Sequence, residues 1–512
     1  MLLLTATSRR LVGKGRLAAL LVGFAMTGTI GCGSDDDASG QAPLMRGATV
    51  ASPTVEGPIT GGLGAPFLAG TVFDLAQVGY AQAEYFVSGT AMSYVNVGTL
   101  GNDGLWTIAP AASADYKTRI VVYRPIDRRD FNGTVLIEWL NVSGGLDSAP
   151  DWISAHTELT REGYAWIGVS AQKIGVEGGT SAVGLTPMPL KEVDPARYGA
   201  LVHPGDSFSY DMFSQTAQIV RRPATLNVLE GLDVETVIAM GESQSAFRLV
   251  TYIDGIHPRD DIYDGFLVHS RGGNGVLPAA LSERPQQAVG VPPAVPIRGD
   301  LNVPVLTFET ETDLTLLGYY LARQPDSERF RLWEVAGTAH ADTYTVGVGS
   351  MDLGDSPDAA KIIVTANPIP QISCPRPINS GPQHFVLKAA IAALNRWVRE
   401  GVLPPTAPRI EMDGGTILRD EYGNARGGIR TPHVDVPIAT LSGEGQSGSV
   451  LCILFGTTTL LDAETLAALY TDQAAYVAAF NAATDAAVAA GFILPPDAEL
   501  LKAAATSTEV RS

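Results

Sequence analysis

Cysteine, histidine and basic residues are scarce in this chain of 512 residues. It has three cysteines and seven histidines, and no group of them has the spacing of a zinc site. Lysine and arginine number 35 against 54 aspartate and glutamate residues, which gives a net charge of −19. Such an acidic surface repels polyanions, so we expect no nucleic acid among the partners.

Charged residues of both signs are also few, at 17% of the chain, whereas hydrophobic residues make up 45%. This balance is typical of a globular protein with an ample core and not of a disordered one. The length is enough for one large domain with insertions or for two ordinary domains.

The first 31 residues have the pattern of a bacterial export signal. They contain four basic residues and no acidic one, and their apolar stretch 17–30 is too short to span a membrane. The sequence Thr-Ile-Gly-Cys at 29–32 resembles a lipobox, in which the cysteine is lipidated and becomes the mature N-terminus. We therefore predict a lipoprotein signal peptide over 1–31, lipidation of Cys32 and anchoring in the cell envelope, with a soluble secreted protein as the alternative.

Three further segments are predicted downstream. Residues 32–65 are rich in Gly, Pro, Ser and Ala and indicate a flexible linker. A catalytic domain is expected over 66–404. Residues 405–512 form a C-terminal extension whose Ala-rich helices either pack on the core or form a cap.

Cys374 and Cys452 remain once Cys32 is assigned to lipid. An even pair in an oxidising compartment predicts a disulfide between them. Such a bond would tie the segment after the catalytic core to the C-terminal region.

Strand-like and helix-like segments alternate through the predicted catalytic domain. The strand-like segments are 83–88, 119–124, 134–140, 164–170, 236–240, 265–269, 303–308 and 331–336. The helix-like segments are 152–162, 210–230 and 385–400, and 172–208 is a loop or cap insertion. This alternation predicts an α/β fold with a mostly parallel sheet, with ligands bound at the carboxyl ends of its strands.

Residues 236–250 carry the most specific functional pattern. A β-branched run stops at Gly241, Ser243 follows, and a helix-like stretch opens at once. A serine on so tight a turn exposes its hydroxyl, and the helix N-terminus favours negative charge there. Ser245 stands where the usual G-x-S-x-G pattern has its last glycine. We predict that Ser243 is the nucleophile of a serine hydrolase.

Ser207 is the alternative nucleophile because Gly-Asp-Ser-Phe-Ser at 205–209 has the same spelling. Pro204 argues against a central strand before it, so a loop or helix-cap role is expected.

A serine nucleophile needs a general base and a carboxylate to orient that base. His340 lies in a glycine-containing turn just past a strand and is the predicted base. His269 is the rival, but it follows the nucleophile helix too soon to leave a strand for the acid. The other five histidines are expected to be structural or exposed: His156, His203, His257, His384 and His433.

The acid should follow strand 303–308 in the chain order Ser, Asp, His. Asp313 is predicted, with Glu311 and Glu309 as alternatives, and the two that lose are expected to be solvated loop carboxylates. The oxyanion hole should use the backbone N–H of Gln244 and a second N–H from Asn141, Val142 or Ser143.

Four motifs together carry a family resemblance. They are the GESQS elbow at 241–245, Leu-Asn-Val-Ser-Gly-Gly at 140–145, His-Ser-Arg-Gly-Gly at 269–273 and Ala-Gly-Thr-Ala-His at 336–340. They resemble a bacterial group of α/β-hydrolase domain-containing proteins over about residues 70–440. The resemblance implies the α/β-hydrolase fold, with a mostly parallel sheet flanked by helices, and the triad Ser243, Asp313 and His340.

These patterns predict a serine hydrolase of small or polymeric carboxylic esters that works through an acyl-enzyme and needs no cofactor or metal. An acyltransferase or peptidase on the same triad is the alternative, and a non-catalytic surface-binding lipoprotein is another. The aromatic residues Trp139, Trp152, Trp166 and Tyr210 either line an acyl pocket or, as is commoner for aromatics, form core.

The lipid anchor gives a first testable prediction. The wild-type protein should fractionate with membranes, and mass spectrometry should find acyl groups on an N-terminal peptide that begins at Cys32. Cys32→Ser should impair processing because the lipidated thiol is lost. A mature wild-type protein that is soluble, unlipidated and cut elsewhere would contradict the prediction.

Overall fold

The computed structural model describes residues 46–224, 226–273 and 294–510. The predicted signal peptide, Cys32 and the first part of the predicted linker lie outside these residues.

The strand that precedes Ser243 belongs to a nine-stranded sheet. With the strands numbered in chain order, the sheet order is β1-β2-β3-β5-β4-β6-β7-β8-β9. Its strands are Thr54–Glu56 (β1), Tyr80–Asn96 (β2), Ile108–Pro125 (β3), Thr134–Trp139 (β4), Ala165–Val169 (β5), Thr236–Glu242 (β6), Gly265–His269 (β7), Val305–Thr310 (β8) and Phe330–Val335 (β9). Strands β1, β2, β3 and β5 pair antiparallel, and all pairs from β5 to β9 are parallel. Every residue of β4 to β9 is buried, as expected for parallel strands that are covered on both faces.

Helices cover both faces of this sheet. The α-helices of the described residues are Pro150–Arg161 (α1), Lys173–Glu177 (α2), Leu190–Val193 (α3), Pro195–Tyr198 (α4), Ser209–Arg221 (α5), Gln244–Thr251 (α6), His257–Asp260 (α7), Glu311–Thr315 (α8), Gln383–Glu400 (α9), Pro432–Asp435 (α10), Val450–Ile453 (α11), Ala463–Leu469 (α12), Gln473–Ala489 (α13) and Pro495–Ser507 (α14). Helices α1 and α9 contribute to one apolar cluster against the sheet, and α5 and α6 contribute to the other. Two hairpins lie outside the sheet: Met412–Asp413 (β10) with Thr416–Ile417 (β11), and Ala439–Ser442 (β12) with Thr457–Leu460 (β13).

This architecture confirms the predicted fold class and the predicted parallel sheet. The four aromatic residues that were candidates for an acyl pocket are all fully buried in the core: Trp139, Trp152, Trp166 and Tyr210. No helix within the described ranges is both long and apolar enough to cross a membrane.

The prediction of a flexible linker over 32–65 is wrong from residue 46 onward. Strand β1 pairs with β2, and Arg46 forms an ion pair of 2.7 Å with Asp261. The guanidinium of Arg197 donates to the carbonyl oxygens of Ile59 and Gly61. The Gly and Pro residues of this segment therefore lie in turns of a segment that is hydrogen-bonded to the rest of the domain. Composition alone does not distinguish such a segment from a flexible linker.

The C-terminal helices pack on the core, which is one of the two predicted arrangements. Residues from α13 and α14 form an apolar cluster with Phe385 of α9. A buried ion pair of 2.9 Å also joins Lys388 of α9 to Asp497 of α14. Position 404 is therefore not a structural boundary.

A buried ion network lies below the loop that follows β4. Arg119 on β3 contacts Asp147 at 2.5 Å and Glu84 at 3.3 Å, and Arg197 contacts Glu84 at 2.5 Å. All four side chains are at most 1% exposed. The network joins two strands, the loop after β4 and helix α4.

Breaking this network should destabilise the fold strongly. Asp147→Ala leaves the buried carboxylate of Glu84 to balance both Arg119 and Arg197, so we expect the free energy of unfolding to fall by about 3–5 kcal/mol. Denaturant titration measures this change. Asp127→Ala, which removes an exposed ion pair with Arg129, is the control and should have little effect. Equal effects of the two substitutions would contradict the prediction.

Candidate active site

Ser243 lies on the sharp turn between β6 and α6. Its φ of 57° and ψ of −119° are strained for a residue with a side chain, and its side chain is half-buried. A Cβ at Gly241 would lie 3.0 Å from the Cβ of Ser245, so glycine is needed there for the helix to approach the strand. Ser245 fits at the position where the usual motif has glycine. The chain therefore makes a sharp strand-to-helix turn at Ser243, and Ser243 lines a cleft.

The structure brings together the three residues predicted for a triad. The Nε2 atom of His340 lies 2.7 Å from Ser243 Oγ, and its Nδ1 atom lies 2.6 Å from Asp313 Oδ1. The other carboxylate oxygen of Asp313 accepts hydrogen bonds from the backbone N–H and the hydroxyl of Thr310, each at 2.7 Å. This capping box at the start of α8 fixes the carboxylate that faces the imidazole.

The two rejected carboxylates do not lie in a solvated loop, so that expectation is wrong. Glu309 and Glu311 are both fully buried, because β8 continues to residue 310 and α8 begins immediately after it. Burial raises the pKa of Glu309 well above its ordinary value, which favours the neutral acid.

Glu311 connects the histidine turn to the C-terminal region. Its carboxylate accepts hydrogen bonds from the backbone N–H groups of Gly337 and Gly443, at 2.7 and 3.0 Å. Gly337 has φ of 75°, and a Cβ there would lie 2.6 Å from a side-chain carbon of Val434. The turn that holds His340 therefore needs both this glycine and the residues beyond 404.

His269 belongs to a separate buried couple and does not contact the hydroxyl of Ser243. Its Nδ1 atom lies 2.7 Å from Asp151 Oδ1, and its Nε2 atom lies 2.9 Å from the side-chain amide of Gln383. Burial lowers the pKa of His269, but the hydrogen bond and charge of Asp151, together with the charges of Glu242 and Asp313, raise it more. Its carbonyl oxygen accepts the backbone N–H of Ser243 at 3.0 Å, so His269 supports the elbow through its backbone.

The remaining candidates from the sequence have structural positions. Ser207 lies in the 3-10 turn Asp206–Phe208 before α5, not between a strand and a helix. Burial lowers the pKa of every other histidine, namely His156, His203, His257, His384 and His433. Within the described residues, no group of three or more His, Cys, Asp or Glu side chains is arranged to hold a metal ion.

The carboxyl group of Glu242 lies beside the histidine, and sequence reasoning missed it. Its Oε1 atom is 3.4 Å from His340 Nε2, and its Oε2 atom accepts a hydrogen bond from Asn141 Nδ2 at 3.1 Å. Burial raises the pKa of Glu242 to about 7, against the lowering effect of His340 and His269. Its position in the elbow motif, directly before Ser243, is the sequence feature that could have identified it.

Two carboxyl groups thus act on one imidazole. Burial lowers the pKa of His340, but the charges of Asp313 and Glu242 raise it more, to about 9. The fraction of neutral imidazole, which is the form that can accept a proton, therefore increases as the pH rises towards that value.

The predicted oxyanion donors divide into occupied and free groups. The N–H of Asn141 donates to the carbonyl of Ser148, and the N–H of Ser143 donates to Asn141 Oδ1. Val142 and Gln244 have no such acceptor for their N–H groups among the described residues.

The hydroxyl of Ser243 lies at a cleft of about 420 Å³. Its lining includes Ser243, His340, Glu242 and Asn141. Most of its other lining side chains are apolar.

Sequence comparison agrees with this geometry. A family model described as an alpha/beta hydrolase domain matches residues 55–503. The chain belongs to this family. A search of curated protein sequences found no match.

Solved structures that resemble the chain include two esterases. A carboxylesterase from Lactobacillus plantarum is 12% identical, with 45% of this chain and 78% of that chain covered and a TM-score of 0.26. Acetyl xylan esterase 1 from Thermoanaerobacterium is 11% identical, with 48% and 80% covered and a TM-score of 0.25. Similarity at this level adds nothing to the family assignment.

The proximity of Glu242 to His340 predicts a change in titration. Glu242→Gln removes a negative charge that favours the imidazolium, so the pKa of His340 should fall and its neutral form should appear at lower pH. NMR titration of protein labelled with ¹⁵N-histidine measures this pKa, and His340→Gln identifies the signal.

Glutamine keeps a side-chain oxygen as acceptor for Asn141, so a loss of that hydrogen bond should not contribute. A pKa of His340 that stays constant or rises in Glu242→Gln would show that the two groups do not interact as described.

Proposed function

We propose that the protein is a serine hydrolase of carboxylic esters, exported and anchored in the cell envelope through a lipid on Cys32. The observation that supports the catalytic part is the continuous line of hydrogen bonds from Ser243 through His340 to Asp313, at 2.7 and 2.6 Å. Ser243, the nucleophile in this proposal, lines a cleft and is not enclosed in the packed core.

In this proposal, the hydrogen bonds from Ser243 through His340 to Asp313 support the acylation step. Ser243 Oγ attacks the ester carbonyl while His340 Nε2 accepts its proton. Asp313 holds the imidazole with Nε2 towards the serine and stabilises the imidazolium that forms. Return of that proton to the leaving alcohol completes acyl transfer to Ser243.

The negative charge that develops on the carbonyl oxygen needs backbone donors. The N–H groups of Val142 and Gln244 supply them in this proposal, and the N-terminal end of α6 adds a favourable dipole. Water then attacks the acyl carbon while His340 accepts its proton, and His340 returns that proton to Ser243 Oγ as the bond to the serine breaks and the acid leaves.

Substitution of the nucleophile tests the proposal. Ser243→Ala should reduce kcat for p-nitrophenyl ester hydrolysis by about 10⁴- to 10⁶-fold, since no other group in the line attacks the carbonyl. The thermal midpoint should hardly change because the hydroxyl serves chemistry and not packing.

Ser207→Ala is the matched control and should keep nearly full activity. Loss of activity in Ser207→Ala but not in Ser243→Ala would move the nucleophile to the other serine. A wild-type protein without esterase activity that also resists a fluorophosphonate probe would favour the non-catalytic alternative.

A further inference from the structure

The cleft at Ser243 is lined almost entirely by uncharged groups. Among its described lining residues, only Glu242 and His340 can ionise, and both lie next to Ser243. Leu146, Ile153 and Leu185 contribute apolar lining from the loop after β4, helix α1 and the 172–208 insertion.

Five further apolar lining residues come from two segments that are distant in sequence. Ile369 and Ile372 belong to the first, and Leu451, Leu454 and Phe455 belong to the second. We refer to these five residues as the disulfide wall, because a disulfide joins their two segments.

This disulfide is the predicted bond between Cys374 and Cys452, which are 78 residues apart. Cys374 lies two residues after Ile372, and Cys452 follows Leu451 directly. Both cysteines are buried and pack with Ile372 and Phe455 in one apolar cluster. The bond thus lies behind the surface that faces the cleft.

The second segment lies in the connection between the paired strands β12 and β13. Helix α11 has only four residues, and Val450 at its start is 54% exposed. The backbone N–H of Asn379 donates to the carbonyl of Phe455 at 2.8 Å, which also ties the two segments together. The covalent bond therefore limits how far the two segments can separate.

We propose that the cleft binds the apolar, uncharged chain of an ester substrate and that the Cys374–Cys452 disulfide sets this specificity by holding the disulfide wall in place. The proposal rests on the proposed ester hydrolysis. Each methylene buried in such a cleft is worth about 0.8 kcal/mol, or roughly a fourfold gain in kcat/KM. A charged chain end would lose its hydration without gaining a partner.

Three p-nitrophenyl esters test the substrate class: the acetate, the octanoate and the monoester of octanedioic acid, which ends in a carboxylate. We expect kcat/KM for the octanoate to exceed that for the acetate by at least about tenfold, since burial of only two methylenes suffices for this ratio. The carboxylate-ended ester should be hydrolysed at least about tenfold less efficiently than the octanoate. Equal values for acetate and octanoate, or for the two eight-carbon esters, would overturn the proposal.

Two sets of variants test the wall. In Cys374→Ser/Cys452→Ser, the ratio of octanoate to acetate kcat/KM should fall at least about fivefold, since the long chain depends on the wall more than the short one. Leu451→Ala should lower the same ratio with the disulfide intact. Val450→Ala is the matched control, because Val450 lies next to Leu451 but is exposed and is not among the described lining residues of the cleft. Its ratio should be unchanged.

A double serine variant with an unaltered ratio would overturn the role of the disulfide. If that variant does not fold, the comparison of Leu451→Ala with Val450→Ala decides, and equal ratios would overturn the wall. A fluorophosphonate probe separates this failure from failure of the proposed function. Labelling of Ser243 without a chain-length preference rejects only the present proposal, whereas neither labelling nor turnover rejects ester hydrolysis itself.

Discussion

The imidazole of His340 must lie between a carboxylate and the hydroxyl of Ser243, and much of the chain serves that placement. Asp313 is fixed by the capping box at the start of α8, so the carboxylate has one orientation towards Nδ1. The turn that carries the histidine is held through Glu311, whose carboxylate bonds to backbone on both sides. Since one of those partners is Gly443, the segment after 404 is part of the catalytic domain and not an addition to it.

The charged groups around this imidazole lose their hydration when they are buried, and specific partners in the fold compensate for that loss. Asp151 and His269 form one couple beneath the elbow, and Asp313 and His340 form another beside it. Glu242 lies between these couples, and its raised pKa reflects burial. Perturbed titration of several groups at the carboxyl end of a parallel sheet is typical of a functional site.

Sequence reasoning identified the main strands and the three side chains that the structure brings together, because both depend on local patterns. Ser243, Asp313 and His340 each follow a strand whose apolar run is readable, and parallel strands bring their carboxyl ends together. Glu242 and Asp151 were missed because their roles come from contacts with residues distant in the chain. The linker prediction was wrong from residue 46 because Gly and Pro mark turns as well as tethers. Glu309 and Glu311 were misjudged because strand ends are uncertain by a few residues, which here separates a buried carboxylate from an exposed one.

Trapping of the acyl-enzyme tests the central claim most directly. The protein is mixed with an excess of a p-nitrophenyl ester, quenched with acid during turnover, digested and mapped by mass spectrometry. The account predicts an acyl group on the hydroxyl of Ser243, in the peptide that contains Gly241 to Ser245. An acyl group on Ser207 or on another residue, or continued hydrolysis with Ser243 always unmodified, would contradict it.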